Sequence, residues 1–160
     1  MTTLPPDQKK QICAVMTAGM HEGVPFNRAL GLEVIDYADE EVWMRLPYAP
    51  ALVGHPATGI LHGGAISSLM DAACGFAIMI KLGRAGSKIA TLDLRIDAMK
   101  PAAAGRDVIA HAHCYKVTRH VCFVRGIAYV DDESDPIATA SATFARKPRR
   151  ARPGLSTERG

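Results

Sequence analysis

The sequence has no Cys-x-x-Cys pair, no continuous apolar stretch at its start, no internal repeat and little excess charge, and each absence narrows what it encodes. Its four cysteines, Cys13, Cys74, Cys114 and Cys122, are scattered, and three of them sit in apolar runs where a free thiol behaves as a small hydrophobe. A disulfide framework is therefore not expected, and a reducing compartment, the cytoplasm, is the expected location. The opening MTTLPPDQKKQICAVM places prolines and charges where a secretory signal needs unbroken apolar residues. No apolar run of about 18 residues is expected elsewhere, which argues against a membrane span. The formal charge is only +3, and five of the nineteen Lys and Arg fall within residues 146–152. The basic excess thus belongs to the tail, RKPRRARPGLSTERG, whose proline, glycine and like charge predict disorder over 148–160 and no nucleic-acid partner.

What is present suits one globular domain: 160 residues, 48% hydrophobic and 22% charged. Residues 1–30 form an N-terminal helical extension, with a helix expected from Pro6 to Thr17 and its end near Gly19. The domain proper runs over 31–147. Alternation predicts two strands across Leu32–Tyr37 and Val42–Leu46, joined as a hairpin, then a loop from Pro47 to Gly59. From Gly63 to Leu82 small and apolar residues occupy the whole helical wheel, which predicts a helix about 30 Å long with protein on every side. Four alternating stretches follow, at Lys88–Met99, Asp107–Thr118, Val121–Val130 and Pro136–Phe144, with gaps too short for crossover helices. In the first, strict alternation puts Leu92, Leu94 and Ile96 on one face and Thr91, Asp93 and Arg95 on the other. The expectation is an α+β fold in which a curved antiparallel sheet of about six strands, the last four as a meander, wraps one long central helix. Its exposed edge favours pairing with a second copy.

Asp71 lies near the middle of that helix among Met70, Ala72 and Ala73. An unpaired buried carboxylate is costly, so Asp71 is either satisfied by backbone or serine neighbours or held beside a wet cleft. Gly63 and Gly64 open the same helix, although each disfavours it by about 1 kcal/mol relative to alanine. Without a Cβ, the first amides can approach a ligand closely, and they are unpaired donors at the positive end of the helix dipole. An oxygen gaining negative charge in a transition state would be stabilised there. Tight packing against the sheet accounts for the glycines equally well, and His62 either caps the helix or lines the cleft. Eight residues of helix separate Gly63 from Asp71 by about 12 Å, so the two reach one carbonyl only if they come from different protomers of a symmetric dimer.

The run Gly59-Ile60-Leu61-His62-Gly63-Gly64, then Leu69 and Asp71-Ala72, followed by Thr91-Leu92-Asp93-Leu94-Arg95-Ile96 and the Lys100-Pro101-Ala102 turn, resembles the PaaI-type branch of the hotdog thioesterases over about residues 31–144. The resemblance implies a homodimer or dimer of dimers that hydrolyses acyl-CoA thioesters in a site shared between subunits, with no cofactor and no metal. It assigns Asp71 as general base or nucleophile, the Gly63 amide, helped by Gly64, as oxyanion donor, and Thr91 as the residue that orients water. Members commonly carry an Asn six residues before the His of His-Gly-Gly; Pro56 stands there, so either the neighbouring His55 supplies the polar group or the loop serves a different acyl chain. Leu61 lines the substrate cleft, and Arg119, His120 and Lys100 are candidates for the phosphates of CoA. Tyr37, Trp43, Phe76 and Met79 are candidates for the acyl pocket, while His111 and His113, with no further ligand at suitable spacing, are read as structural. A non-catalytic acyl-CoA sensor on the same fold is the principal rival, and a hotdog dehydratase is a second.

Overall fold

In a computed structural model the chain is described over residues 4–83 and 88–147. The tail expected to be disordered from Pro148 lies outside the described residues.

Helix α1 spans Pro6–Gly23, with Pro6 in the first turn and Asp7 favourably placed at the positive end of the dipole. It continues past the end expected near Gly19 because Met20 is buried and holds the last turn down. Pro25 then opens the five-residue α2 (Pro25–Ala29), too short to leave a periodic signal in the sequence. Thr17 Oγ1 accepts the Val34 amide at 2.9 Å, His21 Nε2 meets the Leu32 carbonyl at 2.8 Å, and Lys9 pairs with Asp36, which fastens α1 to the first strand.

The strands are β1 (Glu33–Ala38), β2 (Glu41–Leu46), β3 (Val53–His55), β4 (Ile60–Leu61), β5 (Ile89–Ala98), β6 (Val108–Val117), β7 (Val121–Tyr129) and β8 (Ala138–Arg146). Six of them form one antiparallel sheet in the order β1-β2-β6-β7-β8-β5. The expected four-strand meander holds only for β6, β7 and β8. β5 instead pairs with β8 at the far edge, and β2 takes its place beside β6. The connection 99–107 allows this, since nine extended residues reach about 30 Å and three strand spacings need about 14 Å. The segment from Pro47 to Gly59 is not wholly loop: it holds a short 3-10 turn and β3, which pairs with β4 through a turn closed on the His55 carbonyl by the amides of Thr58 and Gly59. Gly59 has φ +67°, a left-handed conformation that glycine adopts without strain.

Helix α3 (Gly63–Lys81) lies in the concave side of the sheet. Its inner face, Leu69, Met70, Ala73, Cys74, Ala77 and Ile78, is buried against Val42, Met44, Ala110, Ala112, Cys114 and Val124. Small residues allow the close approach, and a Cβ on Gly126 would stand 3.7 Å from Cys74 Sγ. Two expectations change here. The helix is not covered all round, because Asp71, Ala72, Phe76, Met79 and Ile80 on its outer side are only partly buried. Over Gly63–Leu82 it does have the length and mean hydropathy (1.6) of a membrane-crossing helix. Contact with β2, β6 and β7 gives its apolar inner face a packing partner within the fold.

Candidate active site

The start of α3 is built around His62. This residue is the N-cap, in extended conformation (φ −64°, ψ 134°), and its ring Nδ1 accepts the Gly64 amide at 3.0 Å. A Cβ on Gly64 would fall 2.9 Å from that Nδ1, so glycine is required at position 64 by the capping ring rather than by the approach of a ligand. Gly54 has a similar role that sequence reasoning missed: its Cβ would stand 3.0 Å from His62 Cα, so β3 can run against the helix start only with glycine there. Gly63 differs, since a Cβ on it would meet nothing within 4 Å. Gly63 is exposed at the positive end of the helix, and its amide finds no acceptor among the described residues. His55, Leu61, His62 and Gly63 line one cleft of about 390 Å³ with Thr58 and Ile60, so four residues singled out in the sequence share one wall.

Asp71 sits two turns further along α3, part-buried, where Thr91 Oγ1 donates to its Oδ1 at 2.9 Å. Serine neighbours do not hold it: Ser67 and Ser68 donate to the carbonyls of Gly63 and Gly64, four residues back, at 3.0 and 2.8 Å. A β-bulge brings Thr91 to Asp71. In β5 the pairing with β8 slips between Thr91 and Asp93, with Thr91 opposite Phe144 and Asp93 opposite Thr143. The extra residue, Leu92, is left 59% exposed, and Thr91 moves to the helix-facing side with Ile89, Leu94 and Ile96. The strict alternation read from the sequence placed Thr91 on the opposite face. The carboxylate is also felt in the core: burial first, and the Asp71 charge second, push the Cys74 thiol up to about 12.

The phosphate candidates fall at opposite ends of the sheet. Arg119 and His120 are exposed on the β6–β7 turn, which Thr118 Oγ1 closes through the Val121 amide, at the same end as the start of β5. Lys100 lies at the other end, ion-paired with Asp135, beside a cavity of about 520 Å³ that also holds Asp131 and Asp132. That acidic setting repels phosphate and already occupies the ammonium. Of the acyl-pocket candidates, Tyr37, Phe76 and Met79 share a cavity, whereas Trp43 is on the outer face of the sheet, stacked on His111 with ring centroids 4.1 Å apart. Its buried neighbours Val42 and Met44 turn Trp43 outward by strand parity. His111 Nδ1 is 2.5 Å from Glu133, and His113 is 3.2 Å from Glu40.

A curved antiparallel sheet around one apolar helix, with an exposed glycine at the helix start and a strand hydroxyl on a mid-helix carboxylate, defines a hotdog-fold protein. The thioesterase superfamily profile matches residues 58–137. The medium/long-chain acyl-CoA thioesterase YigI of Escherichia coli K12 is 32% identical over 133 residues, covering 76% of this chain and 84% of that one. A crystal structure of a Pseudomonas aeruginosa protein superposes with a TM-score of 0.75 at 40% identity, over 84% of this chain and 98% of the other. The Thermus thermophilus phenylacetic acid degradation protein PaaI, in a mutant form, gives a TM-score of 0.65 at 27% identity over 77% and 99%. The chain belongs to the thioesterase superfamily.

Proposed function

We propose that this protein hydrolyses medium- to long-chain acyl-CoA to free acid and CoA, without a cofactor, in a site that two protomers share. The Thr91–Asp71 hydrogen bond is the observation that carries the reading. It fixes the carboxylate and leaves Oδ2 to take a proton from water. The resulting hydroxide adds to the thioester carbonyl, and the charge that develops on the carbonyl oxygen is met by the Gly63 amide of the other protomer. Collapse of the tetrahedral adduct breaks the C–S bond and releases CoA as a thiolate, a good leaving group that needs little acid assistance. His62, capped onto the Gly64 amide, holds the helix start in place, and His55 and Leu61 shape the cleft around it, whereas Gly64 lines a neighbouring pocket with Leu52 and Ser68. Arg119 and His120 are the cationic groups for CoA phosphates; Lys100, held by Asp135, contributes less.

The second protomer is required because about 12 Å of helix separates the two groups in one chain. Among the described residues β5 is paired on one side only, and a free edge of this kind supports pairing with a second copy as a homodimer, or a dimer of dimers. The four free thiols suit the cytoplasm. The substrate class is that of the E. coli relative. Release of free CoA thiol from a panel of linear, benzoyl and phenylacetyl CoA esters tests the proposal. Turnover that Asp71→Asn lowers at least 100-fold, with CoA affinity kept, supports it. Tight binding of acyl-CoA with no thiol released would instead make the protein a sensor.

A further inference from the structure

Strand pairing gathers basic residues at the end of the sheet where β5 begins. The Arg146 amide donates to the His120 carbonyl at 2.8 Å, and the Lys147 amide to the Lys88 carbonyl at 3.3 Å. Val121 stands opposite Ala145 and Ile89 opposite Arg146, so Lys88, Arg119, His120, Arg146 and Lys147 belong to the ends of three neighbouring strands, about 10 Å across. Arg146 is partly buried and the other four are exposed. None of the ion pairs among the described residues uses any of the five. Their charge is left for a ligand.

The opposite end of the sheet has the reverse sign. There Asp131, Asp132, Glu133 and Asp135 are exposed on the β7–β8 connection, and Lys100 and Arg106 are already paired to two of them. An anionic ligand is therefore drawn to one end only. The basic end also leads away from the carboxylate site. Thr91 pairs with Phe144, and Ile89 with Arg146, which puts Arg146 on the helix-facing side with Thr91 and about 7 Å further along the strands. Lys88 and Lys147 stand one residue beyond.

Beyond its pantetheine arm, CoA ends in a diphosphate and a ribose 3′-phosphate, so several anionic groups arrive together. Guanidinium forks and lysine ammonium groups both suit them. We infer that Arg146, Lys147 and Lys88 join Arg119 and His120 in holding these phosphates, and that this end of the sheet makes the protein select CoA over carriers that present pantetheine without the nucleotide. The inference rests on the acyl-CoA hydrolase reading and adds to it which part of the carrier is recognised and by which residues.

Hexanoyl-CoA and S-hexanoyl pantetheine test it, since they share the thioester and differ in the nucleotide. The unsubstituted protein should have the higher kcat/KM for hexanoyl-CoA, and replacing Arg146 and Lys147 together by Gln should cut the ratio of the two values about tenfold or more, through KM, with the circular dichroism spectrum retained. Lys88→Gln, on a different strand, should cut it in the same direction. Equal kcat/KM for the two substrates in the unsubstituted protein overturns the inference. A ratio that neither variant changes does so too, including when both substrates lose rate equally, which would make these residues structural. Should the unsubstituted protein release thiol from no thioester, the hydrolase reading fails, and binding of free CoA by calorimetry then decides the site alone. Binding that weakens about tenfold in the Arg146 and Lys147 variant supports a phosphate site, and equal or absent binding refutes it.

Discussion

At the scale of single residues, the start of α3 separates two glycines that look alike in the sequence. Gly63 occupies the first helical position, where proline is well accepted, and His62 before it already has the extended backbone that proline demands. Gly63→Pro should therefore fold with little change in melting temperature while losing the one donor the mechanism needs. A fall of about 100- to 1000-fold in kcat, measured by thiol release, is the expected result. Gly64→Ala acts differently, because its Cβ displaces the His62 ring and breaks the cap. Loss of a cap costs about 1 kcal/mol, seen as a lower urea midpoint, and activity should fall with it. The buried thiols set an alkaline limit. Burial pushes Cys74 up to about 12 and Cys114 up to about 11. Above a pH of about 8.5 the unfolded chain begins to ionise its thiols while the native one does not, so protons are bound more in the native state and stability falls as pH rises. Urea midpoints of the unsubstituted protein should decline across this range, and Cys74→Ala should decline less steeply.

At the scale of elements, alternation and helical period were strong enough to place six strands and the central helix to within a few residues. They could not say which strands are neighbours. β5 leaves α3 at one edge and pairs with the last strand, a long-range choice that local pattern does not record. Asp71 was legible as a charge on an apolar helix, yet its partner was not legible from periodicity, because the bulge at Leu92 shifts Thr91 to the other face. Only the resemblance to known thioesterases pointed to Thr91. Gly54 carried no signal, since its requirement comes from a contact with His62 eight residues away across the β3–β4 hairpin. The partner of Lys100 was not legible for a similar reason: Asp135 is far away in sequence and close in space. Thr91→Val, which keeps the shape and removes the hydroxyl, should lower kcat about tenfold or more without lowering the melting temperature. An equal loss of both would make Thr91 a packing residue.

At the scale of the whole molecule, the proposed function calls for a dimer with two equivalent sites, because Gly63 and Asp71 are about 12 Å apart in one chain. Subunit mixing tests this directly. On the proposed reading, Asp71→Ala and Gly63→Pro chains should each be inactive alone, but a mixed dimer would contain one site with both groups intact. Random reassortment makes half the dimers mixed, with one good site in two, so about a quarter of the original rate should return. No recovery after mass spectrometry has confirmed mixing would place the whole reaction within one chain. Leu92→Lys, at the exposed bulge on the same edge, should reduce the sedimentation mass toward that of a single chain.

The slip at Leu92 also leaves a signature that mutational tolerance would display. Before it, Ile89 and Thr91 face the helix and Ala90 faces out; after it, Leu94 and Ile96 face the helix while Asp93, Arg95 and Asp97 face out. A saturation scan along this strand should therefore show sensitive positions switching from odd to even numbers at residue 92, like two rulers joined half a division out of step.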